Sequence, residues 1–360
     1  MNISKVFNVP GTEILRGPYG SGHINDTYRV VMKEESGAER EYVLQRINTG
    51  IFKDPVALMK NICRVTEHVR GKILERGGDP ARETLHFYPC GEGEYVYRDE
   101  EGCWRLMDMV SRIRSYNLAE TPEMLGDSGA AFGRFMADLA DFPAQELTEV
   151  IPDFHHTGKR YETFCREVER DAVGRAALCQ PEIQFGLERK ELALSLVQQL
   201  EDGRLPYRVT HNDTKINNVL MDADTGKAIC VIDLDTVMPG ACAYDFGDSI
   251  RFGASNALED EKDLDKVYMR MDLFEAYVKG YLGAVGDSLT EAEKDSLVTG
   301  AKVLTYETGI RFLGDYLNGD TYFKIHRPEH NLDRARTQFK LVADMEAKEE
   351  EMRAIVRKYS

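Results

Sequence analysis

The sequence predicts an α+β protein built of two parts, a small β-rich N-terminal part and a larger, mainly helical C-terminal part. Three observations support this. The length of 360 residues exceeds what one hydrophobic core usually organises. Short β-branched and aromatic runs fill residues 14–110, and helical periodicity dominates from Pro122 onward. We therefore expect one domain over residues 1–110 and a second over residues 111–360.

The first part alternates strand-like runs and turns around one helix. The strand-like runs are HINDTYRVVM, REYVLQRI, GEYVYRD and CWRLMDMV. Between the second and the third, the segment from Asp54 to about Glu75 has apolar residues at positions 56, 58, 59, 62, 65, 69 and 73. This is helical spacing, and Asp54 followed by Pro55 is typical of a helix start. A mostly antiparallel sheet with one helix is expected here.

The second part is helical apart from one interruption. The helical stretches include EMLGDSGAAFGRFMADLADF, ELALSLVQQL and LFEAYVKGYL. From Val209 to about Asp235 the pattern changes to a loop, a short strand NNVLMD, a turn and a second strand AICVIDLD. A small β-ribbon within a helical part would form a platform for polar side chains.

Composition and charge narrow the function classes. The chain is 42% hydrophobic and 30% charged, which is typical of a folded globular protein. Its net charge of -16 disfavours nucleic acid and anionic membranes as partners, so small molecules are expected. The seven cysteines are scattered without a C-x-x-C pair, which argues against a disulfide framework and a structural zinc site. A signal-like start and long apolar runs are both lacking, so a cytoplasmic protein is expected.

The stretch VTHNDTKINNVL concentrates polar residues between apolar ends. Asp213 is followed by Asn218 five residues later and by Asp233 twenty residues later. Phosphoryl transfer from a nucleotide uses these residue types, a carboxylate for the attacking hydroxyl and an amide plus a carboxylate for Mg²⁺. The Asp-to-Asn spacing equals that of the protein-kinase loop H-R-D-x-x-x-x-N. Asp and Asn also commonly bond their own backbone in turns, but the joint pattern favours the functional interpretation.

A second triplet, Asp245-Phe246-Gly247, imitates the metal-binding triplet of protein kinases. No strand pattern leads directly into it, whereas Asp233 follows the apolar run ICVI. We therefore assign the metal role to Asp233, and we expect Asp245 to bond loop amides beneath the motif.

Longer blocks carry a family resemblance. They include PYGSGHINDTY, LQRINTGIF, VTHNDTKINNVLMDADTGKA, IDLDTVMPG, DFGDSIRFGAS and IRFLGDYLNGDTYF. The chain resembles the kinase-like small-molecule phosphotransferases that include the aminoglycoside and choline kinases, and within that group the kinases that act on N-acetylhexosamines. The resemblance implies a two-lobed, protein-kinase-like fold that binds ATP and Mg²⁺ and phosphorylates the anomeric hydroxyl of the sugar.

The same resemblance assigns the residues of the reaction. Asp213 matches the catalytic base, while Asn218 and Asp233 match the Mg²⁺ ligands. Asp235 is a further carboxylate expected near the metal. Apart from the resemblance, Thr214 and Lys215 lie between the base and a metal ligand and could face the terminal phosphate, and Lys215 is the better candidate for stabilising the transferring phosphoryl group.

The nucleotide is expected to contact the N-terminal part. Gly20, Ser21 and Gly22 match a turn that closes over the phosphates, where the lack of a Cβ lets the backbone approach an anion. The adenine is expected near the segment from Met107 to Val110.

One departure concerns the strand lysine that holds the phosphates in protein kinases. The run EYVLQRIN offers Gln45 and Arg46 instead, and neighbouring strand residues face opposite sides. Arg46 could hold phosphate oxygens. Alternatively, it lies on the outer face, and metal and loop amides neutralise the phosphates.

Four residues are candidates for binding the acceptor. His23 and Arg311 could bond ring hydroxyls, Tyr322 could line the sugar site, and Phe252 could be either an apolar wall for an N-acetyl group or a core aromatic. Two alternatives remain open: a kinase of another small alcohol such as homoserine, choline or an aminoglycoside, and a catalytically silent kinase-like binding protein.

Three histidines are assigned structural roles. His155 and His156 are adjacent and are expected to be loop or cap residues. His211 is expected to hold the loop that carries Asp213.

Overall fold

The computed structural model describes residues 1–20, 24–91 and 93–360. Within these residues the chain divides into two compact units. Unit 1 contains Met1–Arg114, Asp141–Pro152 and Leu220–Met238, and unit 2 contains Ser115–Ala140, Asp153–Val219 and Pro239–Ser360. None of the described helices is both long enough and apolar enough to cross a membrane.

Unit 1 is built on a five-stranded antiparallel sheet of order β1-β2-β3-β5-β4. Its strands are β1 Thr12–Pro18, β2 Asp26–Lys33, β3 Glu39–Ile47, β4 Tyr97–Asp99 and β5 Gly102–Asp108. One face buries Val30, Tyr42, Leu44 and Leu106 together with the short helix α1 (Ile3–Val6). The antiparallel sheet expected from the sequence is confirmed, although the run GEYVYRD forms a strand only over its last three residues.

Helix α2 (Pro55–Glu75) confirms the expected helix. The Asp54 carboxylate caps it by accepting hydrogen bonds from the backbone N–H groups of Val56 and Ala57. All of the expected apolar positions are buried except Val56. The short helix α3 (Pro80–Glu83) follows.

The sequence predicted one domain boundary, near residue 110. In the structure, two later segments, Asp141–Pro152 and Leu220–Met238, also belong to unit 1. Asn61 of α2 explains part of this, because its amide donates to the carbonyl oxygens of Thr148 and Val237 and accepts from the N–H of Thr148. Arg82 forms an ion pair with Asp222 at 2.9 Å. The ribbon expected within the helical part therefore joins the β-rich unit, where β6 (Ile113–Arg114), β8 (Val219–Asp222) and β9 (Ala228–Val231) form a three-stranded sheet.

Unit 2 is helical. Its helices are α4 Pro122–Asp138, α5 Thr157–Arg170, α6 Gln180–Leu187, α7 Lys190–Glu201, α8 Cys242–Gly253, α9 Met271–Val285, α10 Glu291–Leu317, α11 His330–Ala347 and α12 Glu349–Tyr359. The long helix α10 packs against α5, α7, α8 and α11. A two-stranded ribbon pairs β7 (Arg208–Thr210) with β10 (Met238–Gly240). The α+β class with a sheet-based first unit and a helical second unit is confirmed.

Helices α8 and α10 approach each other closely. A Cβ on Gly247 would lie 2.3 Å from the carbonyl oxygen of Gly300, and a Cβ on Gly300 would lie 2.2 Å from that of Ala243. Only glycine at both positions allows this contact. It places α8, which carries Asp245 and Asp248, directly against the helix that carries Glu307.

Candidate active site

The loop that carries Asp213 begins where β7 ends, and we call residues His211–Thr214 the catalytic loop. The buried carboxylate of Asp245 accepts hydrogen bonds from the N–H of His211 at 2.8 Å and the N–H of Asn212 at 2.7 Å. Asn212 has a φ of 65°, which is uncommon for a residue other than glycine. The expectation that Asp245 bonds loop amides is confirmed. Burial raises its pKa to about 6, against the opposing effect of His211 and the two amides.

Side chains also form hydrogen bonds with other backbone groups of this loop. The carbonyl oxygen of Asn212 lies 3.2 Å from His155 Nε2, and the N–H of Asp213 donates to His211 Nδ1. The N–H of Thr214 donates to Asp248, and its carbonyl oxygen accepts from Ser249. A backbone bonded in this way by side chains has little freedom to move, so the direction of the Asp213 side chain is well defined.

The Asp213 carboxylate is bonded at both oxygens. Lys215 Nζ lies 2.7 Å from Oδ1, and Asn218 Nδ2 donates to Oδ2 at 3.1 Å and to the Asp213 carbonyl oxygen at 2.8 Å. Burial alone would lower the pKa of Lys215, but Asp213 and Asp248 outweigh it and raise that pKa. The structure therefore brings Asp213, Lys215 and Asn218 together, and Lys215 is held as an ammonium ion.

Asp248 is a functional candidate that the sequence did not indicate. It is buried, accepts from the N–H of Thr214, and forms an ion pair with Arg251 at 2.9 Å. Burial raises its pKa, but Arg251 and Lys215 outweigh this and lower it, so Asp248 stays ionised. The sequence feature that could have indicated Asp248 is its place as the second aspartate of the run DFGD.

The histidines expected to be structural occupy different positions. His156 caps α5 by accepting from the N–H of Lys159, and His211 is fully buried against Phe132 and Phe135. Both roles are confirmed. His155 lies in the turn before α5, as expected of a loop residue, but it is also buried beneath the catalytic loop and contacts Glu307 of α10 at 2.9 Å.

In unit 1, the expected second strand of the ribbon ends at Val231, before the two aspartates. Asp233 has a φ of 59° and a ψ of 55°, and it begins a short 3-10 turn over Leu234–Thr236. A left-handed backbone at a residue other than glycine costs energy and is frequent at functional positions. The metal role of Asp233 stays a prediction.

Asp235 has protein partners at both oxygens. Arg105 donates to Oδ1 at 2.5 Å and Asn25 donates to Oδ2 at 2.6 Å. Arg105 is almost completely buried and also donates to Gln45 at 2.9 Å. A direct metal contact would require Asp235 to release one of these donors, so the contacts indicate a structural role, and its metal role stays a prediction.

Gln45 and Arg46 lie on opposite faces of β3, as expected. Gln45 bonds the buried Arg105, whereas Arg46 is partly exposed and forms an ion pair with Asp26. The contacts favour the alternative in which Arg46 lies on the outer face. The basic group on the inner face is Arg105, which sequence reasoning missed.

The nucleotide candidates are only partly described. Gly20 has a φ of 77°, which suits glycine, but Ser21, Gly22 and His23 lie outside the described residues. An open pocket of about 600 Å³ in unit 1 is lined by the first strands and by residues 109–113, including Met109 and Val110. Met107 is buried in the sheet opposite Val43 and does not line this pocket.

Arg311 lies on α10, one turn after Glu307. It is half-buried, its guanidinium lies 5.5 Å from the Phe323 ring, and no hydrogen bond or ion pair joins it to another residue in the described part of the chain. Arg160 is nearby, and its buried Nε also has no hydrogen-bond partner among the described residues. Burial first, and then Arg311, lower the pKa of Arg160. Two guanidinium groups thus lie near each other, and the ionised Glu307, whose pKa Arg311 helps to lower, interacts with both.

Tyr322 is held in place although its side chain is exposed. The Asp315 carboxylate, one turn beyond Arg311 on α10, accepts from the backbone N–H groups of Thr321, Tyr322 and Phe323 at 2.8–2.9 Å. The Tyr322 side chain is 74% exposed. Phe252, in the last turn of α8, is half-buried, and its role as an apolar wall for an N-acetyl group stays a prediction.

The fold and this loop define a class of protein, a two-part α+β phosphotransferase with an Asp and an Asn at kinase-like spacing. Residues 17–286 match the phosphotransferase enzyme family, APH. Because the match covers most of the chain, the protein belongs to that family.

Solved structures support the fold. The chain is similar to a microcompartment-associated aminopropanol kinase (TM-score 0.60, 16% identity, covering 94% of this chain and 93% of that one). It is also similar to an aminoglycoside phosphotransferase from Alicyclobacillus acidocaldarius (0.57, 14%, 99% and 94%) and to a spectinomycin phosphotransferase in complex with ADP and spectinomycin (0.56, 12%, 97% and 96%). The expected kinase-like fold class is confirmed.

Proposed function

We propose that this phosphotransferase uses ATP to phosphorylate N-acetylglucosamine and N-acetylgalactosamine at the anomeric hydroxyl, as an N-acetylhexosamine 1-kinase. The observation that carries the choice of acceptor is the half-buried guanidinium of Arg311, which has no hydrogen-bond partner among the described residues and lies over the ring of Phe323, the neighbour in sequence of the exposed Tyr322. A buried polar group without a partner is costly, so it indicates a site that a ligand completes.

The chemistry begins at Asp213. Its carboxylate accepts the proton of the anomeric hydroxyl, and the sugar oxygen bonds to the terminal phosphorus of ATP as the bond from that phosphorus to the bridging oxygen breaks and ADP leaves. Lys215, an ammonium ion beside this carboxylate, stabilises charge on the transferring group. An anomeric hydroxyl is more acidic than an ordinary sugar alcohol, so a single carboxylate suffices as base.

Asn218 and Asp233 would hold Mg²⁺, which when bound neutralises charge on the nucleotide phosphates. The fit of Asn218 rests on its orientation, because its amide nitrogen donates to Asp213 and its amide oxygen is therefore directed elsewhere. Amide and carboxylate oxygens are ligands that Mg²⁺ accepts, usually together with substrate phosphates. The pocket beside Met109 and Val110 is the proposed place of the nucleotide base.

The charge at Arg311 separates the sugar from the main alternative. Amino alcohols and aminoglycosides are cations at neutral pH, and the neighbouring guanidinium groups of Arg160 and Arg311 would repel them, while Glu307 and Asp153 offset part of this positive charge. A neutral sugar instead offers hydroxyl and carbonyl oxygens, which accept hydrogen bonds from arginine. The acidic net charge of the whole chain favours cations only at long range.

The test is transfer from ATP and Mg²⁺ to a panel of acceptors, with products identified by phosphorus NMR. The panel contains both N-acetylhexosamines, glucose, galactose, choline, homoserine, aminopropanol and an aminoglycoside. We expect the two N-acetylhexosamines to give 1-phosphates with kcat/KM values within about tenfold of each other, roughly 1.4 kcal/mol, and the unmodified hexoses to be poorer. A 6-phosphate product, or transfer only to the amino alcohols, would overturn the assignment.

A further inference from the structure

His155 lies beneath the catalytic loop, just before α5, and its side chain is only 8% exposed. Its ring is enclosed by the rings of Phe154 and Tyr244, with centroids 4.5 Å and 5.5 Å away. Nδ1 lies 2.9 Å from a carboxylate oxygen of Glu307, and Nε2 lies 3.2 Å from the carbonyl oxygen of Asn212. The ring thus joins helix α10 to the residue before Asp213.

The Asn212 carbonyl oxygen can only accept a hydrogen bond, and so can the carboxylate of Glu307, whose pKa is lowered so that it stays ionised. Glu307 is buried, and its other oxygen already accepts from the Thr157 hydroxyl at 2.6 Å. A neutral imidazole carries one N–H, so it would place a lone pair against an oxygen at one of its two contacts. With Glu307 ionised, the geometry therefore requires the imidazolium, which donates from both nitrogens.

The surrounding charges agree with this protonation state. Burial alone would lower the pKa of His155, but Glu307 and, more weakly, Asp248 outweigh it and raise that pKa. Burial likewise tends to raise the pKa of Glu307, but His155 outweighs it and lowers that pKa. Asp245, on the other side of the loop, also interacts with His155.

The contact acts on the peptide group that leads into the catalytic base. The carbonyl oxygen of Asn212 is bonded by His155, and the N–H of Asp213 in the same peptide group is bonded by His211. A peptide group is planar, so bonding both of its edges fixes its orientation. The direction in which the Asp213 side chain leaves the backbone follows from that orientation.

We propose that His155 is a positioning residue for phosphoryl transfer, which as an imidazolium paired with Glu307 orients the peptide group that carries Asp213. The proposal rests on the proposed role of Asp213 as the base. His155 itself touches neither acceptor nor nucleotide in this role. It acts on turnover through backbone geometry and leaves the binding of either substrate nearly unchanged.

Two isosteric substitutions separate the two contacts of the ring. The amide nitrogen of Gln in His155→Gln reaches the position of Nε2, so this variant can still donate to the Asn212 carbonyl oxygen. The shorter Asn in His155→Asn reaches only the position of Nδ1, so it keeps the Glu307 contact and loses the loop contact. Each variant loses one hydrogen bond and the positive charge, and we expect His155→Gln to lose more stability because it removes a donor from the buried Glu307 carboxylate. The expected order of the kcat losses is therefore opposite to the expected order of the stability losses.

The measurement is steady-state kinetics of both variants with the best acceptor of the panel, together with thermal unfolding. Because misplacement of a reacting group by about 1 Å can cost about 10²-fold, we expect His155→Asn to lower kcat by about 10-fold to 100-fold. We expect His155→Gln to keep kcat within about threefold, and both variants to keep KM values within about threefold. Equal losses of kcat, or losses that follow the melting temperature, would overturn the proposal.

A measurement on the unsubstituted protein covers the case in which a variant does not fold. NMR of protein labelled with ¹⁵N-histidine reports whether each ring nitrogen carries a proton. We expect one buried histidine with both nitrogens protonated at pH 7.5, and its absence would overturn the proposal. Failure of the proposed substrate is distinguishable, since it appears in the acceptor panel of the unsubstituted enzyme, whereas the NMR result and the Gln-to-Asn ratio do not depend on which alcohol is phosphorylated.

Discussion

The catalytic loop and Arg311 both belong to unit 2, yet their polar groups are satisfied in opposite ways. In the loop, the N–H groups of four successive residues and three of their carbonyl oxygens bond a side chain of the same unit. Arg311 has no hydrogen-bond partner among the described residues, although it is half-buried. One region is complete before any substrate binds, and the other is not.

This difference indicates which part of the site is prepared for chemistry and which for recognition. A base must be held at a fixed angle, so the protein supplies every partner of its loop and avoids reorganisation during the reaction. A recognition group gains specificity if only the correct ligand satisfies it. Substitutions in the loop should therefore affect turnover or stability, and substitution of Arg311 should affect acceptor binding.

The largest expected effect is at Asp213. We expect Asp213→Asn to bind nucleotide normally and to lower kcat by about 10²-fold to 10⁴-fold, because a positioned proton acceptor is lost. Calorimetry of nucleotide binding and steady-state kinetics measure the two quantities. Near-normal turnover would mean that the loop is prepared for a role other than base catalysis.

Asp245→Asn tests whether the loop depends on its carboxylate. Asn can accept only one of the two backbone hydrogen bonds from His211 and Asn212, so the other N–H stays unpaired at a cost of roughly 1–3 kcal/mol. Chemical denaturation measures this change in the free energy of unfolding. A fully stable variant would show that the two amides have other partners available.

The stability difference between the wild-type protein and Asp245→Asn should also depend on pH, in a direction that the pKa of Asp245 predicts. The pKa of Asp245 is raised to about 6, so the folded state binds a proton more tightly than the unfolded state does. Its contribution to stability therefore falls as pH rises from about 4 to about 6. The wild-type advantage over Asp245→Asn should be larger at pH 4 than at pH 6.5, and a constant difference would contradict the raised pKa.

Arg311→Gln tests whether the guanidinium of Arg311 binds the acceptor. A hydrogen bond to a charged group contributes about 1.5–3 kcal/mol, so we expect kcat/KM for the acceptor to fall roughly 10-fold to 100-fold, mainly through KM. The melting temperature should change little, because the removal of a half-buried cation is offset by the loss of its attraction to the ionised Glu307. A large loss of stability with unchanged KM would place Arg311 among the structural residues.

Arg46→Gln is the matched control and has the smallest expected effect. It also removes a partly exposed arginine, but one that is already paired with Asp26. An exposed ion pair contributes less than about 1 kcal/mol, so KM for ATP should stay within about threefold and the melting temperature nearly constant. A tenfold rise in KM for ATP would instead show that Arg46 binds the phosphates.

Much of the fold could be predicted from local pattern. The period of 3.6 residues and the Asp54-Pro55 start predicted α2, and β-branched and aromatic runs predicted four of the five strands of the large sheet, all but β1. The prediction was less good where a strand ends. The run AICVIDLD looks like one strand, but the left-handed backbone of Asp233 stops it at Val231.

The site was predictable to the extent that its residues are neighbours in sequence. Asp213, Lys215 and Asn218 lie within six residues, and their spacing alone was enough to place them together. Even the role of Asp245 followed from the absence of a strand before it. The contacts of His155 and Arg105 did not follow, since each residue resembles an ordinary loop or strand position.

What the sequence by itself determined about this protein is the class of each element and the phosphotransferase motif, because helical period, strand alternation and motif spacing are all properties of nearby residues. Only the tertiary structure decided that His155 meets Glu307 across 152 positions and that Arg105 meets Asp235 across 130. Such pairs form because a buried charge must find an opposite charge or a hydrogen-bond partner wherever packing brings one close. Packing, and not local spacing, selects which partner that is.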